Sequence, residues 1–139
     1  MPCVNAGGYV TVRGWSDVGQ ASFTRRVNFD RVTGQFQVPD DGLYVIISRL
    51  GFLGSGSGVY AQQVTRVDFG DEPVLVDRQF VSVTGGSRGS EPIHSSVAAG
   101  VARLRANQRI YVEVAAPAGD RLAAGSGYST FSIVKLQDG

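Results

Sequence analysis

Residues 38–52 read VPDDGLYVIISRLGF, and within them the run 43–50 carries apolar side chains at both odd and even positions. A strand with one wet face alternates apolar and polar residues; a strand apolar on both faces needs a cover on each. The run is far short of the roughly 20 residues that span a bilayer as a helix. Ahead of it stands Pro39-Asp40-Asp41-Gly42, a turn in which Pro presets φ and Gly takes the position that favours φ > 0. The rest of the chain must therefore supply two layers of cover around a central strand.

The flanking sequence supplies more strands and no helix. YVTVR (9–13), FTRRVNF (23–29) and residues 35–38 alternate in the strand period, with DRVTG (30–34) turning between the last two. Residues 51–58 read as a Gly/Ser connection. Residues 59–69 alternate again, with Val59, Ala61 and Val64 set against Gln62, Gln63 and Thr65 and a phase slip expected near Gln62-Gln63. A turn at 70–73 leads to a strand at 74–83, a polar loop at 84–92 (TGGSRGSEP) and a strand of small residues at 93–104. Residues 106–108 turn into IYVEV (110–114), residues 115–127 form a Gly/Ala-rich connection, and YSTFSIVKL (128–136) closes the chain. No window sustains a helical period. Short strands at regular spacing predict an all-β sandwich or barrel.

Length bounds this to one domain over 1–139, with 1–8 expected to be a flexible N-terminal segment. Charged residues make up 18% and Gly numbers 19; the first lies below the usual share of about a quarter, and both suit strands joined by tight turns. A net charge of +1 gives no general attraction to nucleic acid or anionic membrane. Twelve of the thirteen basic residues are Arg, the better side chain for bidentate pairing. Cys3 is the only cysteine, so no internal disulfide and no Cys-rich metal site can form. MPCVNAGG has neither the basic start nor the apolar core of a signal peptide. An extracellular placement therefore expects its targeting or anchoring segment outside this chain.

Catalytic equipment is not visible. His94 is the sole histidine, which rules out a multi-histidine metal site within one chain, and no nucleophile-elbow spacing surrounds a serine. Asp68, Asp71, Glu72 and Asp77 gather around one turn and offer oxygen ligands for a hard cation such as calcium. Their spacing follows no calcium loop, so a solvated turn is the simpler expectation. Glycine-rich 54–58 lacks the lysine and following helix of a phosphate cradle. Arg25, Arg26, Arg103, Arg105 and Arg109 lie on different predicted strands with no interleaved exposed aromatics, a poor pattern for single-stranded nucleic acid. The expectation is a non-enzyme with no cofactor.

Two segments carry a more specific resemblance. VPDDGLYVIISRLGF (38–52) is similar to the tumour necrosis factor (TNF) family segment in which a Gly-Leu-Tyr-x-Ile-x-Ser strand follows a short acidic turn. GVARLRANQRIYVEV (100–114) and GYSTFSIVKL (127–136) resemble the last three strands of that family, with CD40-ligand-type members nearest. FDRVTGQF (29–36) and YSTFS (128–132) resemble the complement C1q globular-head family, which shares the fold. Together the likeness covers roughly residues 9–137.

The resemblance implies a jelly-roll sandwich of about ten antiparallel strands that assembles as a parallel homotrimer and works outside cells. Its family's three-fold contacts fall near Ile47, Val97, Thr130 and Phe131, of which only Phe131 is aromatic here. Receptor contacts come from loops, which points to Asp71, Glu72, Arg78, Arg88, Asp120 and Arg121. The implied function is a TNF-like ligand that binds and clusters a cell-surface receptor. The alternatives are a C1q-like head that recognises microbial or cellular surfaces and a structural trimer capping a fibre. Ordinary core packing is the competing account for each interface position.

Overall fold

In the four-stranded sheet the central strand is β4 (Gly42–Leu53), paired along one edge with β7 (Ile93–Leu104) and along the other with β10 (Thr130–Asp138) and the short β9 (Arg121–Leu122). The computed structural model describes residues 9–13, 15, 27–53, 58–83, 93–115, 121–122 and 129–138; the flexible segment expected at 1–8 lies outside them. A six-stranded sheet faces the first. It runs β2 (Asn28–Asp30), β3 (Gln35–Gln37), β8 (Arg109–Ala115), β5 (Gly58–Asp68), β6 (Glu72–Val83), with β1 (Val10–Thr11) also on β8. All pairings are antiparallel. The chain crosses between sheets after β3, β4, β6, β7 and β8, and that crossing makes the sandwich a jelly roll.

Period-two alternation explains the core. Tyr44, Ile46, Leu50 and Phe52 of β4 point inward with Ala98, Ala102 and Leu104 of β7 and Ile133 of β10. Val38, Tyr60, Val64, Ile110 and Val112 meet them from the other sheet. Burying one such large side chain contributes about 1.5–3 kcal/mol. The alternation does not stop at residue 50. It carries across Gly51 to buried Phe52, so β4 extends into what the sequence reads as a connection. Within the expected 115–127 connection, Leu122 and Arg121 pair with Phe52 and Leu53 as β9.

β5 departs further from expectation. Tyr60, Gln62 and Val64 face inward, so a glutamine occupies the core where the sequence pattern placed Ala61 and Val64 together. Its Nε2 donates to the Ser96 carbonyl and Oγ, each at 2.9 Å, and to the Ser48 carbonyl at 3.2 Å. Those bonds span both sheets and offset the cost of burying the amide nitrogen. The register irregularity falls two residues later than predicted. Val64 pairs with Asp77 and Thr65 with Leu75, leaving Val76 as the extra residue.

Two seams close the sandwich. At one, β6 lies against β7: Asp77 Oδ2 accepts the Ala99 amide at 2.9 Å, and a Cβ on Gly100 would sit 2.9 Å from Val76 Cγ1. At the other, Phe36 of β3 stacks on Phe131 of β10 with centroids 4.2 Å apart, while Phe29 and Trp15 extend the cluster. One end is tied by Gln108. Its Nε2 donates to the Val67 carbonyl and to Asp68 Oδ1, and its Oε1 accepts the Arg105 amide. Asp41 Oδ1 accepts the Ala106 amide, and Val38 exchanges backbone bonds with Asn107 and Gln108. Asn107 takes a φ of 70°, the left-handed conformation that Asn tolerates better than most residues.

Candidate functional site

The outward face of the four-stranded sheet is the chemically distinctive surface. Because alternate residues of β4 point inward, Leu43, Val45, Ile47 and Arg49 point away from the core. Pairing sets them in rows: Val134, Val45 and Val101; then Ser132, Ile47 and Ala99; then Thr130, Arg49 and Val97. Ile47 is 39% exposed, Val97 51% and Val101 58%. The middle of this face thus holds β-branched and small side chains, with Arg103 beside Leu43 at one end and Arg49 near the other. Apolar groups set side by side across strands, rather than scattered, are what an association surface requires.

Of the four residues predicted for the assembly surface, Ile47, Val97 and Thr130 share this face. Phe131 does not join them. It is paired with buried Ser48, and its ring stacks on Phe36 between the sheets. Alternation within β10 is enough to separate it from Thr130. Val45, Val101 and Val134 complete the face and were missed. The first two lie at even spacings from Ile47 and Val97, the signal that would have found them.

The predicted recognition residues scatter. Asp71 and Glu72 sit exposed at the β5–β6 turn, where Asp71 has a φ of 60° and pairs with Arg109 at 3.0 Å. Arg78 lies within β6 rather than in a loop. Its Nε donates to Gln63 Oε1 at 2.8 Å, Gln63 Nε2 donates to Glu113 Oε1 at 2.7 Å, and its guanidinium stands 5.8 Å from the Tyr9 ring centroid. Arg121 belongs to β9. Arg88 and Asp120 lie outside the described residues, as does the loop at 84–92.

The acidic cluster around the turn disperses onto separate partners. Asp68 meets Arg66 at 3.1 Å and Gln108, Asp71 meets Arg109, and Asp77 holds the β7 edge. Among the described residues no group of three or more His, Cys, Asp and Glu side chains is placed to hold a metal. Nor, among them, is any helix long and apolar enough to cross a membrane.

These features define a jelly-roll β-sandwich with one sheet face that exposes the apolar side chains Ile47, Val97 and Val101. The sequence profile of the TNF (Tumour Necrosis Factor) family matches residues 13–136, and the chain belongs to that family. It is therefore a domain of a cytokine family, not of an enzyme family, and the family's members act extracellularly or as membrane-anchored ectodomains. No curated protein matches the chain.

Proposed function

We propose that the domain is a homotrimeric, TNF-like ligand that acts outside cells and clusters a cell-surface receptor. The observation that carries the reading is the outward apolar face of β10, β4 and β7. Covering Ile47, Val97 and Val101 in three copies adds roughly 1 kcal/mol per side chain, since each is already partly buried. The family resemblance supplies the number three. Trimerisation turns one weak receptor contact into three linked ones, so avidity grows without any new chemistry. Asp71, Glu72, Arg78, Arg88, Asp120 and Arg121 are the proposed receptor contacts. The family match supports a ligand over a C1q-like recognition head.

Multi-angle light scattering at micromolar concentration tests the assembly, with a mass three times that of the 14.7 kDa chain expected. A stable monomer would remove the proposal. Binding of the trimer to receptor-bearing cells then tests the contacts, and an alanine variant that binds unchanged sets its residue aside.

A further inference from the structure

One end of the sandwich carries a charged cleft that neither the core nor the apolar face accounts for. It has a volume of about 710 Å³ and opens between the β5–β6 turn, the β7–β8 turn and Asp41 of the β3–β4 turn. That size suits a small ligand or a short peptide segment. Four guanidinium groups line it: Arg66, Arg103, Arg105 and Arg109. Three carboxylates, Asp41, Asp68 and Asp71, share the lining. The lining therefore carries one net positive charge.

The carboxylates are already engaged. Asp68 pairs with Arg66, Asp71 pairs with Arg109, and Asp41 accepts the Ala106 amide. Arg103 is exposed and has no ion pair or hydrogen bond among the described residues. Gln108 fixes the walls, because it bonds to the Val67 carbonyl and Asp68 on one side and to Arg105 on the other. The cleft is thus held by a side chain that belongs to none of its ion pairs. Preorganised walls reduce the ordering cost of binding.

We infer that this cleft binds a ligand presenting a single carboxylate, gripped by Arg103, with Arg105, Arg66 and Arg109 framing it. A guanidinium presents a planar fork that a carboxylate meets with two parallel hydrogen bonds. One negative charge neutralises the local excess. A phosphate monoester, carrying about −1.5 to −2 at neutral pH, would overshoot it. A sulfated glycan would bring many charges against three fixed carboxylates. The carboxylate comes either from a free small acid or from an acidic side chain on a peptide. One chain builds the whole cleft, so the inference goes beyond the ligand reading and does not depend on the trimer.

The test is a titration of the isotopically labelled protein, followed by amide chemical shifts. The probes are acetyl-Gly-Glu-Gly-amide, its Gln counterpart, acetate, inorganic phosphate and a heparin hexasaccharide. The Glu-containing peptide is expected to shift the amides of residues 103–109 and 68–71 to saturation, with the Gln counterpart at least about tenfold weaker, the loss of one charge-assisted pair. Arg103→Ala combined with Arg105→Ala is expected to weaken binding by a similar factor. Arg103→Lys, which keeps the charge and loses the fork, falls between. If acetate also saturates the site, a free acid suffices; if only the peptide does, the acid is borne on a chain. Either result supports the inference. It is overturned if no probe shifts these amides, if the Gln peptide binds equally well, if the double variant binds unchanged, or if phosphate or heparin binds there more tightly than the Glu peptide.

Discussion

The two outward faces of this sandwich are built by the same alternation and end with opposite chemistry. On the four-stranded sheet the alternate positions hold Val45, Ile47, Val97, Val101 and Val134, with small or hydroxyl side chains among them and Arg49 and Arg103 towards the ends. On the six-stranded sheet long polar side chains reach across strands: Arg78 to Gln63, Gln63 to Glu113, and Arg78 over Tyr9. That second face also exposes large apolar groups, Leu75 at 46% and Phe80 at 56%. Exposed area therefore does not tell the faces apart. What differs is continuity: one face sets Val134, Val45 and Val101 side by side across three strands, and on the other a bonded polar chain crosses the strands.

Breaking the comparison at its strongest point should give the largest effect. Ile47→Asp places three carboxylates in the proposed interface, at a cost on the order of 2–4 kcal/mol per site. Light scattering is expected to show monomer, with circular dichroism unchanged. Arg78→Glu, on the other face, is expected to leave the mass at three chains. If both variants stayed trimeric, the assignment of the faces would be wrong.

Phe131→Ala sharpens the distinction within β10. Because Phe131 stacks on Phe36 inside the sandwich, its truncation should cost about 2–3 kcal/mol of unfolding free energy, somewhat below the range for a fully buried ring. Thr130→Ala, one residue away on the outward side, should leave denaturant stability within about 0.5 kcal/mol. Equal losses would contradict the register of the strand.

Gln63→Ala removes the link between Arg78 and Glu113. Exposed polar pairs of this kind are worth about 0.2–1 kcal/mol, so urea unfolding should shift only slightly, and less still in high salt. The smallest effect concerns Tyr111. Burial raises its hydroxyl pKa above the ordinary value, and the charge of Glu113 raises it further. The folded chain then keeps a proton that the unfolded chain releases near pH 10, so this contribution is present below that pH and fades as pH rises through the folded value. Glu113→Gln should lower the Tyr111 titration midpoint in ultraviolet absorbance without returning it to that of free tyrosine. A midpoint unmoved by the substitution would remove Glu113 as a cause.

Much of the fold was legible because alternation and turn chemistry are local. The two-faced apolar run at 43–50, the strand over 93–104 and the turns at 30–34 and 106–108 all follow from residue order alone. The parts that were not legible depend on what lies across the sandwich. Gln62 reads as a solvent-facing residue until Ser48 and Ser96 are seen to accept from its Nε2. β9 exists because the end of β4 offers it an edge, which no pattern in 115–127 announces. For the candidate surface, Ile47, Val97, Thr130 and Phe131 were all assigned by likeness; parity along β4, β7 and β10 sets the first three on one face and Phe131 on the other side of its strand. Arg78 was named through the likeness to loop contacts, although the strand expected at 74–83 already contained it, and β6 runs over that span.

Asp77 carries a consequence for how the molecule can grow. A sheet that ends in an open strand can add another strand, and then another, without limit. Here the outer edge of β7 meets a carboxylate at Ala99 and the body of β6 at Gly100, so the middle of that edge is blocked against an added strand. The proposed trimer uses the face of the sheet and not this margin. Contacts made through a face can close on themselves after a few copies; contacts made through an edge lead to fibres.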